Sequence, residues 1–237
     1  MALRRVFVDR VGDSEAQVEG SAAHHLARVV RLREGEEVEL SDGRRLFRAR
    51  VAKASPRRVE FAIEEDMVAP ASGPDVTLQL AVLQFSRLEW ALEKATELGV
   101  MRVVPVVAAR SETHLVKAAP KRLERWKRIA EQAAQQSRRM SAPVIEEAVS
   151  FEQAVADRQG TGLVLHPDGD LLRDILASSV EGPIQLLVGP EGGWTDDEVS
   201  VALAAGYRQA GMGSLILRCE TAAVAALSII SQARHPS

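Results

Sequence analysis

The sequence predicts an α/β fold, a parallel sheet covered by helices on both faces, preceded by a smaller β-rich unit. Two observations carry this. From about residue 75 onward, apolar runs of strand length alternate with helical patterns, and several runs are unbroken rather than alternating, as in strands buried on both sides. Before that point, short β-rich runs dominate, and A-P-A-S-G-P at residues 69–74 separates the two patterns, since its prolines and glycine cannot continue a helix or a central strand.

In the first part, residues 5–8, 36–40, 45–51 and 58–63 read as strands. Asp42-Gly43 between the second and third is a two-residue hairpin signal. One helix, residues 21–32, interrupts them, so a small β-barrel or sheet with one helix is expected. In the second part, residues 77–83 read as a strand leading into a helix over 86–98. Ser86 and Glu89 are spaced as a capping box, Leu88, Leu92, Ala95 and Leu98 form the apolar stripe, and Gly99 ends the helix. A strand over 102–108, a long basic helix to about residue 139 and a helix over 151–158 follow. The series closes with strands at 162–166, 184–188 and 215–217 and helices over 171–177 and 195–205, the last opened by a capping box of Thr195 and Glu198.

Composition narrows the function classes. The chain has 237 residues, 46% hydrophobic and 27% charged, as in soluble globular proteins. Cys219 is the single cysteine, so no internal disulfide can form and a reducing compartment is expected. The amino terminus lacks the apolar core of a signal peptide, and the apolar stretch at 222–230 is far shorter than a membrane span. A cytoplasmic location is expected. The net charge of −3 hides an uneven distribution, with basic residues crowding 4–58 and 121–139 and acids crowding 146–198. Two basic clusters point to nucleic acid as a partner. No His/Cys cluster has metal-ligand spacing, so no metal is expected.

In open α/β sheets, ligands bind at the carboxyl ends of the strands. Three segments reach that edge with unusual chemistry: Leu165-His166-Pro167, V188-G-P-E-G-G193 and L217-R-C-E-T221. The glycine loop precedes a helix whose first turn carries Asp196, Asp197 and Glu198, and no lysine follows the glycines. Three carboxylates occupy the field in which a helix would hold a phosphate, and neither nucleotide-phosphate motif is present. Glycines still allow the backbone to approach a flat ligand closely. A ligand with adenine, ribose and a positive charge but no phosphate, such as S-adenosylmethionine, suits such a loop. Beyond residue 218 a helix apolar on every side is expected to be buried in a core or against another subunit, with Arg218 and Glu220 as an ion pair beside it. Cys219 reads as a small buried side chain.

Together, L-L-V-G-P-E-G-G-W-T-D-D-E-V and G-M-G-S-L-I-L-R-C-E-T-A resemble the two signature loops of the RsmE-type 16S ribosomal RNA uridine N3-methyltransferases, members of the SPOUT class. H24-H-L-A-R-V-V-R-L-R-E-G-E, E93-K-A-T-E-L-G99, Q136-S-R-R139 and Leu165-His166-Pro167 are similar in type and order, so the likeness covers nearly the whole chain. The resemblance implies a PUA-like RNA-binding β-barrel over residues 1–70. It also implies a SPOUT α/β methyltransferase domain over 75–237 with a deep carboxyl-terminal trefoil knot, and a homodimer acting on 16S rRNA or the assembled small subunit. The S-adenosylmethionine pocket carries over to Leu165, His166, Val188, Gly189, Pro190, Glu191, Gly192, Gly193, Met212, Gly213, Ser214, Leu215, Ile216 and Leu217. Leu215 stands where an arginine is usual.

Methylation of uracil N3 requires loss of its proton and stabilisation of the resulting anion. Arg218 is the candidate for the second role, and Glu220 or Glu191 for the first, with His166 shaping the pocket. RNA contacts are expected from Arg4, Arg5, Arg28, Arg31 and Arg33, with Arg110 and Arg139 nearer the catalytic domain. Two other readings remain open on the same scaffold: ribose 2′-O-methylation, and a non-catalytic RNA-binding assembly factor.

Overall fold

The computed structural model describes residues 3–70, 73–178, 180 and 182–234. Ala71 and Ser72 of the expected linker lie outside the described residues. The chain divides into two compact units, residues 1–71 with 134–142, and residues 72–133 with 143–237.

The first unit is a five-stranded sheet. Its strands are β1 (Arg4–Phe7), β2 (Glu15–Glu19), β3 (Glu37–Ser41), β4 (Leu46–Ala54) and β5 (Arg58–Met67), in the order β1-β3-β4-β5-β2. β1 lies parallel to β3, and the other ladders are antiparallel. Strand alternation sends Val38, Leu40, Phe47, Ala49, Val59 and Phe61 into one core. The Asp42-Gly43 hairpin forms as expected: Asp42 accepts from the Arg44 and Arg45 amides at 2.9 and 2.7 Å, and Gly43 takes φ +86°. β2 was not anticipated, because E-A-Q-V-E has only two apolar residues; both, Ala16 and Val18, are buried.

The helix expected over 21–32 is two pieces. α1 (Gly20–His24) passes into a wider π-helical turn (His25–Val30), and Arg31 ends it in the left-handed region at φ +60°. The β-branched pair Val29-Val30 disfavours a further α turn. The wide turn lets Leu26 and Leu32 both reach the core while Arg28 stays exposed.

The second unit is a parallel sheet of β6 (Val76–Ala81), β7 (Arg102–Val107), β8 (Val144–Ile145), β9 (Val149–Ser150), β10 (Thr161–Leu171), β11 (Ile184–Val188) and β12 (Tyr207–Gly211), ordered β12-β10-β11-β6-β7-β8 with β9 also on β7. Its helices are α2 (Phe85–Glu97), α3 (Thr113–Ala118), α4 (Leu123–Gln136), α5 (Phe151–Ala156), α6 (Leu172–Ala177), α7 (Asp196–Ala204) and α8 (Cys219–Ala233). Successive residues of the central strands serve opposite faces. Leu163 and Leu186 pack with α2, α6 and α8, whereas Val164 and Leu187 pack with α5 and α7.

Three expectations need correction here. The long basic helix is broken at Pro120 by a 3-10 turn (Ala119–Arg122) and ends at Gln136. Ser86 does not cap α2: the helix begins one residue earlier, with Phe85 held edge-on to Trp126 at 6.0 Å, and Glu89 is committed to Arg125 at 2.7 Å. Residues 215–217 are not a strand; the last strand is Tyr207–Gly211, and Leu215 and Ile216 are 79% and 90% exposed in the loop beyond it. The capping box of Thr195 and Glu198 is present, and Gly99 at φ +93° ends α2.

Candidate functional site

Three loops at the carboxyl ends of the neighbouring strands β10, β11 and β12 enclose a cavity of about 290 Å³. The first arises inside β10. Leu165 and Asp170 both face Ala210 of β12, so residues 166–169 leave the ladder and carry His166 and Pro167 to the cavity wall. Gly169 permits the chain to rejoin, since a Cβ there would stand 2.6 Å from the Ala210 nitrogen. The glycine loop after β11 forms the second wall, and residues 212–217 after β12 form the third.

Every residue expected in the cofactor pocket lines this cavity except Gly192 and Ser214. Pro167, Trp194, Ala210, Cys219 and Ala222 line it too. Trp194 directly follows Gly193, and Pro167 and Cys219 stand inside segments already singled out at the strand ends, so these three could have been read from the sequence; Ala210 and Ala222 carry no sequence signal. The wall contains no lysine or arginine among the described residues, and its acid is Glu191. Trp194 packs against Phe151 at 5.2 Å between ring centres and against the Gly189 backbone, where a Cβ would come within 3.0 Å of the indole. The Trp194 Nε1–H is buried with no acceptor among the described residues.

The expected Arg218–Glu220 pair is absent among the described residues. Glu220 is 9% exposed and its carboxylate Oε1 lies 3.9 Å from Nε of Arg87 on α2, the helix packed against α8. Arg87 also donates to Glu191 at 3.3 Å, so one cation spans the glycine loop and the first turn of α8. Glu220 Oε2 is buried without a donor among the described residues. Arg218 sits in extended backbone ahead of α8, its carbonyl accepting from the Ala222 amide at 2.8 Å, and its exposed side chain makes no hydrogen bond or ion pair among the described residues. His166 Nδ1 accepts from the Asp168 amide at 3.2 Å, which places the proton of the neutral ring on Nε2. Burial and the Glu191 and Glu220 carboxylates push the Cys219 thiol up to about 11.

The basic residues separate into two groups. Arg4, Arg28, Arg31 and Arg33 are exposed on the first unit. Arg5 is not available to a phosphate. It is 4% exposed, stands opposite Glu39 in the β1–β3 register and pairs with it at 2.8 Å, with Arg138 completing the cluster. Arg139 belongs to the first unit rather than the second, and burial lowers its guanidinium to about 10. Arg110 of the second unit donates to the Gly192 carbonyl at 2.6 Å and lies 3.2 Å from that of Trp194.

Residues 71–231, which include this whole cavity, match the model of the RNA methyltransferase domain. The chain belongs to that family. Residues 18–64 match the RNA methyltransferase PUA domain, within the first unit. As a member of this RNA methyltransferase family, the chain is 33% identical over 234 residues to a Mycobacterium bovis protein named ribosomal RNA small subunit methyltransferase E, covering 94% of this chain and 89% of that one. A Bacillus subtilis protein of the same name is also 33% identical, covering 90% and 88%. The crystal structure of ribosomal RNA small subunit methyltransferase E from Neisseria gonorrhoeae, bound to S-adenosyl methionine, superposes with a TM-score of 0.87 at 28% identity over 98% of each chain. Among the described residues there is no cluster suited to a metal ion and no helix long and apolar enough to cross a membrane.

Proposed function

We propose that the chain transfers a methyl group from S-adenosylmethionine to N3 of a uridine in 16S rRNA of the small ribosomal subunit. The observation that carries this reading is the cavity. Its wall joins the glycine loop to residues 212–217, offers no cation for a phosphate, and places one carboxylate where a positively charged ligand gains from it. The residues present fit the donor: Leu165, Val188 and Leu217 give the cavity apolar walls, and the bare Gly189 backbone lets the Trp194 indole close against it to complete the lining. When bound, S-adenosylmethionine supplies an activated methyl group on a sulfonium.

The chain's own residues align the acceptor and exclude water. Arg218, uncommitted and exposed at the head of α8, stabilises negative charge developing on the uracil ring. Glu220 and Glu191, both held by Arg87, are the carboxylates available to the N3 proton. In this reading residues 1–70 form the PUA-like barrel that places the RNA, and residues 75–237 carry out the transfer. The exposed Arg4, Arg28, Arg31 and Arg33 meet phosphates, so RNA affinity falls steeply with salt. A deep trefoil knot in the second unit and a homodimer belong to the same reading, the latter supported by the exposed apolar Leu215 and Ile216 on the cavity rim.

The test is methylation of small subunits from a strain lacking the modification, with nuclease digestion and mass analysis of the RNA. N3-methyluridine at one site is expected. A 2′-O-methyl product, or binding without transfer, overturns the proposal. Arg218→Ala is expected to retain S-adenosylmethionine binding and lower turnover by about a hundredfold or more; undiminished turnover removes Arg218 from the chemistry.

A further inference from the structure

We infer that Arg110 and Glu198 are positioning residues that lock the glycine loop into its ligand-ready shape, acting together from the loop that follows β7. The inference rests on the donor reading above, because it assigns these residues to the same cavity.

The loop at residues 108–112 is braced by its own bonds. The Ser111 amide donates to the Ala108 carbonyl at 3.0 Å, and the Ala108 amide donates to Ser111 Oγ at 3.2 Å. That tight turn presents two groups to the glycine loop and α7. One is the Ala109 amide, which donates to Glu198 Oε1 at 2.8 Å. The other is the Arg110 guanidinium on the Gly192 and Trp194 carbonyls.

Glu198 is 8% exposed and spends its second oxygen on Thr195, accepting from the amide at 2.9 Å and from Oγ1 at 3.1 Å. It therefore does more than cap α7: one carboxylate ties the start of that helix to the β7 loop. Residues 189–194 are held at β11 on one side and at this double latch on the other. Between them lie Gly193, at φ +71°, and Trp194, whose indole packs on Gly189. Without Arg110, two loop carbonyls lose a charge-assisted donor and the position of Trp194 is less tightly set.

This also accounts for the shape of Gly192, which does not itself line the cavity. A Cβ there would press on Arg110 at 3.2 Å from Cδ, so the glycine leaves the guanidinium its path over the loop. Arg110, read from sequence as an RNA contact, is thereby assigned to donor binding.

The experiment compares the full-length chain with Arg110→Met, Arg110→Lys and Glu198→Gln. Calorimetry with S-adenosylmethionine alone, RNA binding across a salt series, and hydrogen exchange of the amides at residues 189–195 are the readouts. Arg110→Met, which loses the donor to both loop carbonyls, and Glu198→Gln, which loses a charged acceptor, are each expected to weaken donor binding about tenfold. Exchange of the Gly193 amide, bonded to the Pro190 carbonyl at 2.8 Å, is expected to quicken. Arg110→Lys restores part of both effects, and the salt slope of RNA binding stays unchanged.

Unaltered donor affinity with a reduced salt slope in Arg110→Met returns the residue to the RNA surface and overturns the inference. Should Glu198→Gln fail to fold, the exposed Arg110 variants still decide it. Should the unmodified chain bind no donor, the donor reading falls, whereas the exchange rates still report whether the latch exists.

Discussion

Cys219 shows how neighbours keep a reactive side chain inert. It lines the cavity, yet burial and the Glu191 and Glu220 carboxylates raise its thiol from the ordinary 9.0 to about 11. At pH 8 the thiolate is scarce, so alkylation by iodoacetamide is expected to be far slower in the folded chain than in denaturant. The same shift has a stability consequence of definite sign. Between pH 9 and about 11 the unfolded chain releases this proton while the folded chain keeps it, so stability falls as pH rises through that window. Below pH 9 both states hold the proton and the residue contributes no slope. Denaturant unfolding from pH 8 to 11 is expected to show a steeper decline for the native sequence than for Cys219→Ser; identical profiles would contradict the assignment.

At the scale of elements, the parallel sheet is stitched by a buried polar network. Tyr207 on β12 donates to Gln79 Oε1 on β6 at 2.8 Å, with Gln185 Oε1 on β11 3.3 Å away. Gln79 and Gln185 in turn donate to the carbonyls of Ala154 and Asp157, at 2.6 and 3.0 Å. Burial pushes the Tyr207 hydroxyl up to about 12, so it remains a donor throughout the neutral range. Tyr207→Phe strips this donor from two buried amide oxygens and is expected to cost about 1–3 kcal/mol, measured by urea unfolding. None of this was legible from the sequence, because glutamines in strands give no periodic signal and Y-R-Q-A-G has too few apolar residues to read as a strand.

What was legible follows a physical pattern. Leu78, Leu80, Leu163 and Leu186 announced central strands because both faces of the sheet are covered. Gly99 and the Thr195–Glu198 box marked helix ends because capping is local chemistry. The cavity's loops were likewise visible as glycines and charges at strand ends. The partner of Glu220 was not, since Arg87 approaches from a helix more than a hundred residues earlier in the chain. Local spacing favoured Arg218, and tertiary packing of α2 on α8 decided otherwise. Residues 215–217 misled for a related reason: an apolar run that reads as strand forms the rim of a ligand cavity.

For the whole molecule, the division into units departs from a single cut in the chain. The first unit takes residues 134–142 back from beyond α4's core-packed part. Ser41 Oγ donates to the Met140 carbonyl at 2.6 Å, and Arg138 joins Arg5 on the buried Glu39. Without residues 134–142 Glu39 keeps Arg5 but loses the half-exposed Arg138, and the buried Ser41 hydroxyl loses its acceptor, together a cost of about 1–3 kcal/mol. A fragment of residues 1–71 is therefore expected to unfold at clearly lower denaturant concentration than a chain joining 1–71 to 134–142 through a flexible linker. Equal midpoints would show that the returning segment adds nothing.

That returning segment has a consequence for how the protein is made. A ribosome releases the chain from its amino terminus, and simple amino-terminal domains can fold as soon as they emerge. Here Glu39, already paired with Arg5, gains its second cation from Arg138 only about a hundred residues later in synthesis. All five strands of the first unit's sheet therefore emerge before the segment that finishes it, and Glu39 and Ser41 gain their last partners only after residues 72–133 have left the exit tunnel.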